Sequence, residues 1–230
     1  MERRTPAAKQ LMVEAAIAGL PVFRGARHAQ VAALAAQARL ARAPRGATLM
    51  AADAPPAGLL VVVRGALKLV LNAGGGERVL GLLGPGDSFG EAYVVLGAVP
   101  SVQVVALVET TAAVLPREPL LALMARDARF ALRLARALAG QVLALIEMEA
   151  NLAHHGAQRL ASYLDSLAGG AVGACRVQLP ASKTVIASLL GMKKETLSRL
   201  LRLFADRGLI EVTQRNITIL NRAGLARFAG

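Results

Sequence analysis

The chain has 230 residues, 55% of them hydrophobic, with a single cysteine and a formal net charge of +12. That is enough apolar material for one large or two modest cores, and it excludes a disordered chain. Cys175 alone excludes an intrachain disulfide framework and a cluster held by several cysteines of one chain.

The start, MERRTPAAKQLMVEAAIAGL, is charged and interrupted by Glu14, so no signal peptide is expected. Aliphatic runs such as LLVVV at 59–63 fall far short of the roughly 18 residues of a spanning helix. The expected location is the cytoplasm. The excess charge is uneven: residues 181–230 hold nine Lys/Arg against three acids, half of the whole surplus. A basic C-terminal segment suggests a polyanionic partner, nucleic acid ahead of a membrane. Aromatic residues are only 3%, which argues against single-strand binding on stacked rings.

Residues 44–116 read as strands. Pro44-Arg45-Gly46, Arg64-Gly65, Gly74-Gly75-Gly76 and Gly84-Pro85-Gly86-Asp87 are turn signals. Between them lie LLVVV, ALKLVL, RVLGLL, VQVVALV and TTAAVL. Short strands with frequent turns suggest a sandwich or roll. From 117 to about 168 the period becomes helical. Leu134, Leu138, Gln141, Leu145, Met148 and Leu152 alternate steps of four and three, a heptad seam. Such a seam packs on the chain's own barrel or on a second copy, and its regularity favours the copy. The helix ends near His154-His155-Gly156, and another (GAQRLASYLDSLA) follows.

Residues 180–230 form a third segment. Ser182 is a natural N-cap for SKTVIASLL, Gly191 makes a tight turn, and KKETLSRLLRLFADR is the next helix, stopped by Gly208. LIEVTQRNITIL then reads as two strands around Gln214-Arg215-Asn216. Helix, glycine turn, helix and hairpin make a winged helix-turn-helix, whose second helix enters the major groove. In that helix Leu197, Leu200, Leu201 and Phe204 form the apolar stripe, and Lys194, Glu195, Ser198, Arg199 and Arg202 project together on the other side. Arginine can bond both O6 and N7 of guanine, glutamate accepts from cytosine N4, and serine suits several base edges. A glutamate among these cations would weaken a purely phosphate-binding surface, so it favours base readout. Glu195 and Arg199 are also four apart and could simply pair on a solvated face. Ser182, Lys183, Lys193 and Thr196 lie near helix N-termini, where phosphate contacts are natural, and Arg215 at the hairpin tip could reach another.

In this order and spacing the chain resembles the CRP/FNR superfamily of bacterial transcription regulators over nearly its whole length. PRGATL, the RG closing LLVVVRG, and GLLGPGDSFGEA are similar to the family's glycine series ending in Phe-Gly-Glu. SKTVIASLLGMKKETLSRLLRLFADRGLI resembles its DNA-binding motif. The resemblance implies an α+β chain in three parts. These are a cyclic-nucleotide-binding-like β-roll (jelly roll) with N-terminal helices at 1–124, a dimerisation helix and hinge at 125–155, and a winged helix-turn-helix at 156–230. It implies a homodimer on a palindrome of TTGA-like half-sites, with Glu195, Ser198 and Arg199 on the bases. The partners implied are double-stranded DNA, a second copy and RNA polymerase, with no membrane.

The sensor half departs from the cAMP-binding pattern. In those members an Arg-Ser/Thr pair following Phe-Gly-Glu holds the cyclic phosphate, whereas this chain keeps Glu91 but has Val99-Pro100-Ser101-Val102-Gln103. Burying a phosphate without a cation is costly, so cAMP control is not expected. Glu91 then reads first as a structural hydrogen-bonding residue, and Glu91 and Ser101 mark the candidate effector pocket. The N-terminal cysteine cluster of oxygen-sensing FNR proteins is absent, so no iron–sulfur cluster is expected. The remainder looks most like the Dnr-type branch, linked to nitric oxide and in some members to haem. A haem would need an axial ligand, for which His154 and His155 are the candidates, and both also read as a polar helix end. His28 reads as a surface residue, and Cys175 as an incidental thiol in a loop.

An enzyme is not expected. GPGDSFG matches neither the dinucleotide fingerprint nor a P-loop, no Gly-x-Ser-x-Gly elbow occurs, and the three histidines have no metal-ligand spacing. Two alternatives stay beside a ligand-responsive regulator: a constitutive DNA-binding protein with a non-sensing barrel, and a cyclic-nucleotide regulator with an atypical pocket.

Overall fold

The run LLVVV has no in–out alternation, and the fold shows why. The structure, a computed structural model, describes residues 6–73, 76–152, 155–171 and 173–229, with the side chains of 6, 73, 148–152 and 229 outside that description. Two helices lead, α1 (Pro6–Gly19) and α2 (His28–Gln37), separated by a 3₁₀ turn at Pro21–Phe23. Strands β1 (Arg39–Ala43), β2 (Thr48–Met50), β3 (Leu59–Arg64), β4 (Leu67–Ala73), β5 (Gly76–Leu83) and β6 (Ser88–Phe89) follow. After helix α3 (Glu91–Leu96) come β7 (Gln103–Ala106), β8 (Thr110–Leu115) and helices α4 (Arg117–Arg126) and α5 (Ala128–Leu152). The strands form two four-stranded sheets, ordered β1-β8-β3-β6 and β2-β7-β4-β5.

Strand β3 lies inside the first sheet, and both of its faces are covered. Leu59 and Val61, with Ala113 and Leu115 of β8, join Ile17, Leu34, Leu120, Phe130 and Leu134 of the helices in one core. Leu60 and Val62, with Ala112 and Val114, join Met50, Leu67, Val104 and Ala106 in a second core between the sheets. A strand buried on both faces must be apolar throughout, which is why the period of two is lost. The Arg64-Gly65 turn is a close approach. Gly65 has φ +99°, and a Cβ there would lie 2.7 Å from Glu109 O and from the Cα of Thr110.

Three expectations need correction here. The strand region begins at Arg39 rather than 44, because β1 pairs with β8 from Arg39↔Val114 to Ala43↔Thr110. The region is also interrupted by α3, framed by Gly90 (φ +111°) and Gly97 (φ +66°), since a short apolar run such as EAYVVL does not announce its period. Last, Leu134 is 2% exposed and packs in the chain's own helical core, with Leu138 half-buried against it. These two members of the expected partner-facing seam serve the fold of one chain, because the first turns of α5 have a core to cover. Every residue from Ala139 to Glu147 is exposed, including Gln141 and Leu145 of the seam. The side chains of Met148 and Leu152 lie outside the described residues.

The chain divides into two units, residues 1–76 with 80–143, and residues 77–79 with 144–230. In the second, α6 (Gly156–Leu167) precedes β9 (Cys175–Gln178), α7 (Lys183–Leu189), α8 (Lys194–Asp206), β10 (Ile210–Thr213), β11 (Asn216–Ile219) and α9 (Arg222–Ala229). A sheet of order β10-β11-β9 makes the wing. Cys175, expected in a loop, opens β9 and pairs with Ile219. Leu160 and Leu164 of α6, Ile186, Leu197, Leu201, Phe204, Ile217 and Leu225 are all buried. Arg222 of α9 bridges to Asp165 of α6 at 2.6 Å. Among the described residues no helix is long and apolar enough to cross a membrane.

Candidate nucleic-acid interface

Ser182 caps α7 as its position suggests: its backbone is extended, and its Oγ accepts the Val185 amide at 3.4 Å. After α7 the chain turns at Gly191 (φ +61°), whose amide donates to Ser188 O at 3.0 Å, while the Met192 amide donates to Ala187 O at 2.9 Å. Lys193 is the N-cap of α8. One face of that helix is anchored by Leu197 (1% exposed), Leu201 (3%) and Phe204 (0%). Phe204 stacks obliquely on Phe228 of α9 at 5.1 Å, and the Arg207 guanidinium lies 5.2 Å from the Phe228 ring centroid.

With that face fixed, Lys193, Lys194, Glu195, Ser198, Arg199 and Arg202 are all exposed, whereas Thr196 and Lys183 are half-buried. Glu195 sits in the first turn of α8, where a carboxylate complements the helix dipole. Among the described residues, neither Glu195 nor Arg199 is engaged in an ion pair, so the intrahelical pairing that would explain both as surface filler is not formed. Arg215, at the hairpin tip, is also bonded within the chain. Its Nε and Nη2 both donate to Leu179 O, at 3.1 and 3.0 Å, and its own carbonyl accepts the Leu179 amide at 2.9 Å. Two of its five N–H donors hold the hairpin tip to the segment that enters α7.

Sequence reasoning missed Arg159. From α6 its Nε donates to Leu190 O at 2.8 Å and its Nη2 reaches Gly191 O at 3.4 Å, on the turn between α7 and α8. Those carbonyls close a helix C-terminus, where a cation is favoured. Nothing in GAQRLASYLDSLA distinguishes this arginine from a solvated one.

In the first unit Glu91 is 5% exposed and accepts a hydrogen bond from Ser88 Oγ through Oε1. Ser101 is exposed, and among the described residues no bond joins it to Glu91. His155 is exposed at the start of α6, its amide donating to Gln158 Oε1 at 2.9 Å; His28 is exposed at the start of α2. His154 lies outside the described residues. Among the described residues no group of three or more His, Cys, Asp or Glu could hold a metal ion.

Residues 158–228 match a Crp-like helix-turn-helix domain, and residues 40–127 match a cyclic nucleotide-binding domain. A relative from Lacticaseibacillus casei, "Probable transcriptional regulator flp", is 30% identical over 220 residues, covering 95% of this chain and 100% of its own. The chain belongs to the CRP/FNR family of transcription regulators. It is a DNA-binding transcription regulator, and its relatives are regulators rather than enzymes. A "CRP-like cAMP-activated global transcriptional regulator" of Mycobacterium tuberculosis is 28% identical over 218 residues, covering 90% of this chain and 96% of that one. In fold it matches FixK2 of Bradyrhizobium japonicum with a TM-score of 0.75 at 23% identity, over 84% of this chain and 98% of the other. In the segment matched to the cyclic nucleotide-binding domain, the stretch 99–103 reads Val-Pro-Ser-Val-Gln and carries no cation.

Proposed function

We propose that this regulator binds palindromic DNA as a homodimer, that Glu195, Ser198 and Arg199 read the bases of a TTGA-type half-site, and that its signal is not a cyclic nucleotide. The observation that carries the reading is the solvent face of α8, on which these three side chains are exposed at steps of three and one and, among the described residues, Glu195 and Arg199 have no ion-pair partner. Lys194 and Arg202 on the same face supply attraction, and Ser182, Lys183, Lys193 and Thr196 flank it at helix starts, in place for phosphates. Arg215 contributes by fixing the wing, with its remaining donors available to the backbone of the DNA.

Support for the homodimer comes from α5, where Val142, Leu143, Leu145 and Ile146 are 54%, 62%, 58% and 60% exposed. Four large apolar side chains in two turns are what a partner helix would cover. A two-fold dimer reads two half-sites, and RNA polymerase is the further partner in this reading. The signal proposed is nitric oxide or a haem-linked cue, with His155 as the described axial-ligand candidate. A Soret band in protein from haem-replete cells supports it, and a protein without one directs the search to the barrel around Glu91. Operator affinity unmoved by nitric oxide, haem or metabolite extracts would instead make the protein constitutive.

Arg199→Ala tests the base readout. On a TTGA-type palindrome it costs about 1–3 kcal/mol and relaxes the preference at the guanine, measured by fluorescence anisotropy. An equal loss on scrambled DNA would show that Arg199 contacts phosphate only.

A further inference from the structure

A groove of ≈ 430 Å³ runs between α2 and α4 in the first unit, within the size range of small-ligand sites. Its walls are two helix faces of matching period: Gln30, Ala33, Leu34 and Gln37 on one, Pro119, Ala122, Leu123 and Arg126 on the other. Gln30 Nε2 donates to Asp127 Oδ2 at 2.9 Å, which brings the start of α2 beside the end of α4. Arg27 and Arg126, both lining the groove, therefore lie toward the same end of it.

What surrounds those two arginines matters more than their proximity. Asp127, next to Arg126 in the chain, brings one negative charge against these two guanidinium groups. Oδ1 accepts the Phe130 amide at 3.0 Å, capping α5, and Oδ2 accepts Gln30. The other amide atom of Gln30, Oε1, accepts the Arg27 backbone amide at 2.9 Å. Among the described residues neither Arg27 nor Arg126 has an ion pair or a side-chain hydrogen bond. Two cations against one carboxylate leave that end of the groove cationic, and none of the residues lining it is acidic. Away from the arginines the floor is apolar, built on Leu34, Leu123 and Pro119.

We propose that this groove binds a small amphipathic carboxylate, its head shared by Arg27 and Arg126 and its hydrocarbon laid over Leu34, Leu123 and Pro119. Paired guanidinium forks match a carboxylate in geometry and charge, and the apolar floor distinguishes this site from a surface for a polyphosphate. The head group would sit next to Asp127, the cap of α5, at the root of that long helix. The assignment is independent of how α8 reads DNA.

Isothermal titration of the full-length protein with decanoate tests it, with decanol and acetate as the arms that remove the charge or the chain. Decanoate binds once per chain, decanol at least about tenfold more weakly, and acetate not measurably. The double variant Arg27→Gln/Arg126→Gln weakens decanoate by about tenfold or more. Ala33→Trp, which keeps both arginines but fills the groove, abolishes binding. All altered positions are exposed, so melting temperatures stay close to the parent's. Equal affinity in the double variant, decanol binding as tightly as decanoate, or no decanoate heat at millimolar concentration overturns the assignment. So does tight binding of an acidic amphipathic peptide without any of decanoate, which would make the groove a protein-docking surface.

Discussion

Arg159→Ala removes a side chain bonded to the turn between α7 and α8 and weakens operator binding. Its bond to Leu190 O, at 2.8 Å, is a charge-assisted hydrogen bond to a residue 8% exposed, whereas the reach to Gly191 O at 3.4 Å is near the limit and adds little. Bonds to charged groups contribute about 1.5–3 kcal/mol, and the half-exposed guanidinium lowers this to about 2 kcal/mol for the local closing of the turn. The amides that depend on that turn are Gly191, bonded to Ser188 O, and Met192, bonded to Ala187 O. Hydrogen exchange at both should rise roughly thirtyfold, the equivalent of about 2 kcal/mol. Because the turn sets the start of α8 against α7, affinity for the cognate palindrome falls more than affinity for scrambled DNA. Arg159→Lys keeps the charge with one ammonium in place of the fork and recovers part of the loss. Exchange and operator binding that both stay within about twofold of the parent would refute the clamp.

Leu145→Lys with Ile146→Lys puts two charges on each protomer where a partner helix would lie; at about 2 kcal/mol per covered side chain and four such side chains in the dimer, dimerisation weakens by up to about a millionfold. A double variant that sediments as a dimer would place the interface elsewhere, and Leu138→Lys should instead lower the stability of the first unit. Among the described residues the Tyr163 hydroxyl is buried without a hydrogen-bond partner, and burial pushes its pKa up to about 12. Tyr163→Phe therefore leaves stability unchanged or raises it by about 1 kcal/mol, and a loss larger than that would reveal a bonded hydroxyl. The Arg222 hydrogen bond holds the Asp165 carboxyl below its ordinary range. A carboxyl lowered in the native state stabilises above its unfolded pKa of about 3.9, and the contribution disappears as pH falls through the lower native value. Urea titrations from about pH 5 downward should show a flatter acid decline for Asp165→Asn than for the parent, and superimposable curves would remove the bridge from the acid response.

How far the sequence could carry this depends on whether a residue's role is set by its neighbours in the chain or by its neighbours in space. The cap at Ser182, the turn at Gly191 and the stop at Gly208 are local in origin, and each stands where expected because backbone geometry admits few residues there. The leucine stripe of α8 is also local, so the identity of its outward face followed from it. Leu134 and Leu145 share one heptad pattern and nevertheless part company: the first enters the core of its own chain and the second stays exposed. Periodicity gives the direction of a side chain but not what waits in that direction. Arginines show the same gap most sharply. Arg199 and Arg159 look alike in sequence, yet one faces solvent and the other closes a turn. Arg27 and Arg126 are 99 positions apart, and they line one groove because the fold sets α2 beside α4, where Gln30, itself 97 positions from Asp127, bonds to that carboxylate. Charges far apart in sequence make a site only when the fold brings them to one surface, and that is a property of the folded arrangement alone.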